Sequence, residues 1–142
     1  MEVTNMNAEY PYADLAQKFS KSQINFHIAK VKGDTFVKIS PVVNTPVIEI
    51  EDNKDWISIR TDFYLTIEHS ISRMTNKKRI RDKVCKLIED MLTYGCDAIY
   101  TYRKGNLVKT DYYVNNKRVE TVASGLNMFG EKTVKREHYA FQ

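Results

Sequence analysis

The sequence predicts an α+β fold: antiparallel sheet, one long amphipathic helix (about residues 75–94) packed on a sheet face, and a short N-terminal helix. Three observations carry this. Apolar and polar side chains alternate with period two through residues 24–71. The period becomes helical over 75–94. Strand-like runs separated by short turn signals then fill 98–123. Strand groups divided by a single helix argue for helix-on-sheet packing.

Tyr10 to Lys21 reads as a short helix, with Pro11 in its first turn and Leu15, Ala16 and Phe19 as an apolar stripe. Ile24, Phe26 and Ile28 then alternate with Asn25 and His27. Lys32-Gly33-Asp34 is a turn, and Phe36, Val37 and Ile39 carry a second strand. Pro41 and Pro46 bracket a loop, because proline is excluded from central strands. Val47 to Glu51 is a third strand and Asp52 to Asp55 a polar turn. Trp56 to Arg60 and Phe63 to Ile71 complete the sheet, with Asp62 marking a tight connection or bulge.

The long helix has Thr75 or Asn76 as N-cap and Gly95 as its left-handed C-terminal residue. Ile80, Val84, Leu87, Ile88, Met91 and Leu92 fall within an arc of about 140° at 100° per residue, the width of a core-facing stripe. Ala98 to Arg103, a Lys104-Gly105-Asn106 turn and Leu107 to Val114 form a hairpin. Asn115-Asn116-Lys117 and Arg118 to Ala123 extend it. The pattern is weakest from Met128 onward, where Thr133 to Phe141 alternates enough to suggest a last strand of a three- or four-stranded meander. Residues 1–8 show no pattern and are expected to fray.

A chain of 142 residues is expected to be one domain, residues 1–142, large enough to fold without a metal or disulfide. No apolar run approaches the roughly 20 residues of a membrane span, and Met1 to Glu9 lacks the apolar core of a secretory signal. On one continuous helix Cys85 and Cys96 would lie about 16 Å apart, beyond disulfide reach. They are read as free, apolar-packing thiols in a reducing cytoplasm. Richness in Lys, Asn, Ile and Tyr is compatible with an AT-rich genome, mobile elements included.

The formal charge of +4 is unevenly placed. Residues 1–71 hold 7 Lys/Arg against 10 Asp/Glu, a net of −3, and residues 72–142 hold 15 against 8, a net of +7. Such asymmetry points to an anionic partner, provided that the halves do not interleave on folding.

Two features carry the candidate binding residues. The first is the start of the long helix: Arg73, Lys77, Lys78, Arg79 and Arg81. Pairs at i,i+4, such as Lys78–Asp82 and Lys86–Asp90, suit a solvated face. Yet the cations crowd the N-terminal turns, against the helix dipole, and rules of this kind are broken most often at functional sites. The second is the tyrosine-rich hairpin: Tyr94, Tyr100, Tyr102, Tyr112 and Tyr113, of which Tyr100 and Tyr102 share a strand face, with Arg103, Lys104, Lys109, Lys117 and Arg118. Aromatics among cations can stack bases, and the same composition suits a protein interface.

A third cluster, Glu49, Glu51, Asp52 and Asp55, with Asp62 and Glu68 and with Lys54 nearby, could hold Mg²⁺ in a nuclease-like site. No histidine pair, cysteine pair or glycine run has the spacing of a zinc site, P-loop or dinucleotide fingerprint, so no cofactor is expected. The leading expectation is a non-enzymatic binding or modulator protein that docks through its basic, Tyr-rich C-terminal half. A protein partner is favoured, including one that handles nucleic acid and is inhibited by it. Direct nucleic-acid binding is the first alternative, and a metal-dependent nuclease using residues 49–55 the second.

Overall fold

The computed structural model describes residues 2–3, 11–41, 46–124 and 129–142. The elements run β1 (Glu2–Val3), α1 (Tyr12–Lys18), β2 (Ile24–Val31), β3 (Asp34–Pro41), β4 (Ile48–Asp52), β5 (Trp56–Thr61), β6 (Thr66–Ser70), α2 (Lys77–Tyr94), β7 (Cys96–Arg103), β8 (Asn106–Val114), β9 (Lys117–Ala123) and β10 (Lys132–Tyr139). The α+β expectation holds. One sheet runs β1-β2-β3-β4-β5-β6 and the other β10-β7-β8-β9; every pairing is antiparallel except β1 with β2. Glu2–Val3 pairs in the region expected to fray; the rest of residues 1–8, with Tyr10, lies outside the described residues.

Local chemistry explains most of these elements. Lys32-Gly33, Lys104-Gly105 and Asn115-Asn116 each have positive φ at both positions, the two-residue geometry that matches the twist of antiparallel strands. The side chain of Asn76 caps α2 by accepting from the Arg79 backbone N–H at 3.2 Å. Val84, Ile88, Met91 and Leu92 are buried, with Ile80 and Leu87 at the margin, so the apolar stripe faces the core as expected. One apolar cluster joins α1, the inner face of the first sheet, α2 and the near end of the second sheet, from Tyr12 to Phe141.

Several expectations need correction. The N-terminal helix ends at Lys18, and residues 19–23 are turns. Phe63 to Leu65 is a chain reversal, because the backbone N–H of Leu65 donates to Thr61 Oγ1 at 3.0 Å and that of Thr61 to the Leu65 carbonyl at 3.0 Å. Only Thr66–Ser70 is strand there. Gly95 has φ 80° but ψ −172°, so the chain leaves α2 directly into β7. The His138 imidazole and the Tyr139 carbonyl would stand 2.6–2.7 Å from a Cβ at Gly95, so only glycine fits. Cys96 therefore lies in β7, and the two cysteines do not share a helix. Both are free, and burial pushes each thiol up to about 12. β10 crosses to the far side of β7, so the second sheet is not a simple meander.

The inner face of the first sheet carries one ionised group. Ile48, Ile50 and Asp52 alternate inward along β4, and the Asp52 side chain is 1% exposed. Tyr12 Oη donates to Asp52 Oδ2 at 2.6 Å, Arg81 Nε donates to the same oxygen at 2.6 Å, and Arg81 Nη2 reaches Oδ1 at 3.2 Å. Lys77 Nζ lies 3.3 Å from Oδ1 and also donates to the Asn53 carbonyl at 3.0 Å. One carboxylate thus ties α1, β4 and α2 together. Burial raises the Asp52 pKa, but the hydrogen bonds from Arg81 and Tyr12, with the charges of Arg81 and Lys77, outweigh it and hold the group below the usual carboxylate range.

Asp52→Asn should cost about 3 kcal/mol in urea unfolding, the low end for breaking a buried ion pair, because Arg81 and Lys77 (33% and 32% exposed) can turn toward water. A depressed carboxylate pKa stabilises the fold above the unfolded value of about 3.9, and that stability is lost as pH falls through the lower folded value. The acid limb of a stability–pH curve should therefore flatten in Asp52→Asn.

Candidate binding surface

Folding preserves the charge asymmetry only in part. The first sheet is built wholly from residues before α2 and the second wholly from residues after it. Of the net +7 of residues 72–142, residues 72–95 carry +4 (7 Lys/Arg against 3 Asp/Glu), and there Lys77 and Arg81 of α2 pair with Asp52 of the first sheet; residues 96–142, which build the second sheet, keep +3 (8 against 5).

The basic start of α2 is largely engaged within the fold. Lys77 and Arg81 answer Asp52. Lys78 lies 3.6 Å from Asp82. Arg73 and Arg79 are exposed and form no ion pair among the described residues. Two of the cations that oppose the helix dipole, Lys77 and Arg81, thus have an internal cause: their counter-charge sits in the sheet beneath.

The hairpin residues fall on two faces. Antiparallel partners share a face, so the register places Tyr100 with Thr110, Lys135 and Val122, and Tyr102 with Thr133. The other face carries Thr101 with Lys109 and Val134, Ile99 with Asp111 and Arg136, and Asp97 with Tyr113, His138 and, across β8, Arg118. The expected mixture of tyrosines and cations is therefore divided: Tyr100 and Tyr102 on the face that meets the core at its near end, and Lys109 and Arg118 on the outer face.

On that outer face Lys109 pairs with Asp111 at 3.4 Å, and His138 Nδ1 with Asp97 at 2.7 Å. Arg103 Nη1 donates to the Gly130 carbonyl at 2.9 Å, and the backbone N–H of Lys104 donates to the Glu131 carbonyl at 3.1 Å. These two residues hold the segment leading into β10. Lys117, Arg118, Lys132 and Arg136 are exposed and form no ion pair among the described residues. Arg136 also lines a cleft with Asp97, Ile99, Tyr113 and Asn116. Lys132 and Arg136 were missed because they lie in the stretch of weakest periodicity; only their alternation along β10 could have flagged them. Lys117 and Arg118 lie near Asp97, just past the C-terminal end of α2, whereas Lys77 packs by Asn53 at the other end. About 27 Å of helix separates the two basic clusters.

The acidic cluster is also divided. Glu49 and Glu51 lie on the outer face of the first sheet and Asp52 on the inner. Glu49 stands between Lys38 and Arg60 in the register. Glu51 Oε2 accepts from Asn53 Nδ2 at 2.8 Å and Trp56 Nε1 at 3.1 Å. Among the described residues no three His, Cys, Asp or Glu side chains are gathered as a metal ion requires. No helix among them is long and apolar enough to cross a membrane. Comparison with protein-family models, curated proteins and solved structures gives no match.

The two arginines on α2 predict opposite responses. Arg81→Glu should destabilise the fold by about 3 kcal/mol or more, since it sets a second carboxylate against Asp52. Arg79→Glu should stabilise it by about 0.5 kcal/mol, because a glutamate three residues after the cap can bond back to the cap N–H and suits the helix dipole. Urea titrations of both variants check this.

Proposed function

We propose that the protein is a non-catalytic binding protein that docks on an acidic surface of a partner protein through the outer face of its second sheet. The observation that carries this reading is the set of cations there that form no ion pair among the described residues, Arg118, Arg136 and Lys132, on a sheet built from residues 96–142, which hold 8 Lys/Arg against 5 Asp/Glu. Arginine is enriched in interface hot spots, and a free guanidinium offers bidentate bonding to carboxylates. Tyr113, beside Arg118 in the register, supplies an aromatic contact.

Two features favour protein over nucleic acid. Asp97 and Asp111 interrupt the cations, so the face is a pattern of both signs. Tyr100 and Tyr102, the side chains best suited to stack on bases, lie on the opposite face. A positive face also does not fit the positive groove of a nucleic-acid-handling protein. If such a protein is the partner, the contact lies away from that groove.

The test is stoichiometric complex formation with a captured partner. Arg118→Glu combined with Arg136→Glu should weaken the complex by about 30-fold or more, while Arg73→Glu with Arg79→Glu leaves it within about twofold. Equal loss in both pairs would overturn the assignment to this face. Salt-sensitive binding of oligonucleotides, lost in the same Arg118/Arg136 variant, would replace the protein reading with direct nucleic-acid binding.

A further inference from the structure

We infer that the cleft between the β5–β6 reversal and the inner face of the second sheet is a binding site for an alkylammonium group, of the kind a partner protein's lysine carries. It measures about 270 Å³ and is lined by Pro46, Asp62, Phe63, Tyr64, Tyr100 and Tyr139. That is below the size of a pocket for a drug-sized ligand and suits the end of one side chain. Four of the six lining residues are aromatic, and ring faces attract cations. Phe63 and Tyr139 stack at 4.2 Å with 7° between their planes, which makes one wall rigid.

The polar groups point to the same ligand. Lys135 lies 2.8 Å from Glu137, and its hydrogen bond leads the causes holding the Glu137 carboxyl below its ordinary value. Tyr139 Oη donates to Glu137 at 2.9 Å, so its oxygen accepts from Tyr100 Oη at 2.8 Å. With both phenolic protons committed toward the carboxylate, the open end of the chain, Tyr100 Oη, is an acceptor. Asp62 accepts from the Val47 backbone N–H at 3.0 Å and pairs with no cation among the described residues. The lining thus offers two acceptors, one of them charged, four rings and no lysine or arginine. A cationic donor complements it; an anion or an apolar group does not.

Tyr64 supplies an independent indication. The Thr61–Leu65 bonds hold it at φ 68°, a region that is unfavourable for a bulky residue, while its side chain is left 85% exposed. Its ring therefore stabilises little within the fold that would offset the strain, and strained residues cluster at binding sites. The cleft lies on the face of the second sheet opposite Arg118 and Arg136, so this inference does not depend on the docking face proposed above.

The experiment is an NMR titration of the full chain with n-butylammonium chloride and, at matched ionic strength, with n-butanol. The ammonium should produce saturable shifts at Tyr64, Tyr100 and Asp62, with butanol binding at least about tenfold more weakly. Asp62→Asn keeps the oxygen that accepts from Val47 and should weaken ammonium binding about fivefold without changing the butanol response. Tyr64→Gly should weaken it by a similar factor while holding or raising the melting temperature, since glycine relieves the positive φ. Equal affinity for butanol, non-saturating shifts spread over surface carboxylates, or unchanged ammonium affinity in Asp62→Asn would each overturn the inference.

Discussion

The carboxylate of Asp52 sets the frame of this molecule. An ionised group on the inner face of a sheet is tolerable only when its lone pairs are filled and its charge is answered. Here a phenol from α1 and two cations from successive turns of α2 do both. The requirement reaches outward from there. It fixes which turn of α2 lies over β4, and so where the C-terminal end of the helix delivers Gly95 and the second sheet. It also sets α1 against the same pair of elements through Tyr12. The gain in net stability from such a network is modest, because desolvation consumes most of the attraction. What the network supplies is position, since both Lys77 and Arg81 reach Asp52 only with this turn of α2 over β4.

Much of the fold was legible because its signals are local. The three tight turns were marked by Gly or Asn at positions needing positive φ, and the apolar stripe of α2 was marked by its period. Two of the failures share a cause as well: they depend on pairing between residues distant in the chain. Asp52 read as the start of a polar turn, because charged residues almost never lie fully buried and the residues that tame it are 40 and 29 positions away. The crossing of β10 to the outer edge of β7 has no local signature. Phe63 had the composition of a strand residue, and the Thr61–Leu65 bonds that turn the chain there leave its ring stacked on Tyr139.

The candidate site was legible in part for the same reason. Alternation along β7 correctly put Tyr100 and Tyr102 on one face and Thr101 on the other, but the partners that give each face its character come from β8, β9 and β10. Once those strands are in place, Tyr100 and Tyr102 divide from Arg118 and Arg136, while Tyr113 stays beside Arg118 and Lys135 beside Tyr100. Tyr100 joins a hydroxyl chain ending on Glu137, while Arg118 and Arg136 are left on the outer face. A cluster that read as one mixed surface becomes two surfaces of different chemistry.

If the proposed docking face is correct, cation density is a poorer guide to binding in this protein than the absence of an internal counter-charge. The densest basic run, Lys77 to Lys83, spends Lys77 and Arg81 on Asp52, and a partner competing for them would have to break the frame of the fold. Among the described residues, Arg118 of β9 and Lys132 and Arg136 of β10 form no ion pair. A partner's carboxylate at Arg118 or Arg136 need displace only water, and so retains more of its Coulombic gain. The same reasoning with signs reversed distinguishes Asp62 from Asp52: both are aspartates near the end of a strand, but Asp52 is filled from within, and the Asp62 carboxylate, which among the described residues accepts from one backbone N–H, still has charge to offer.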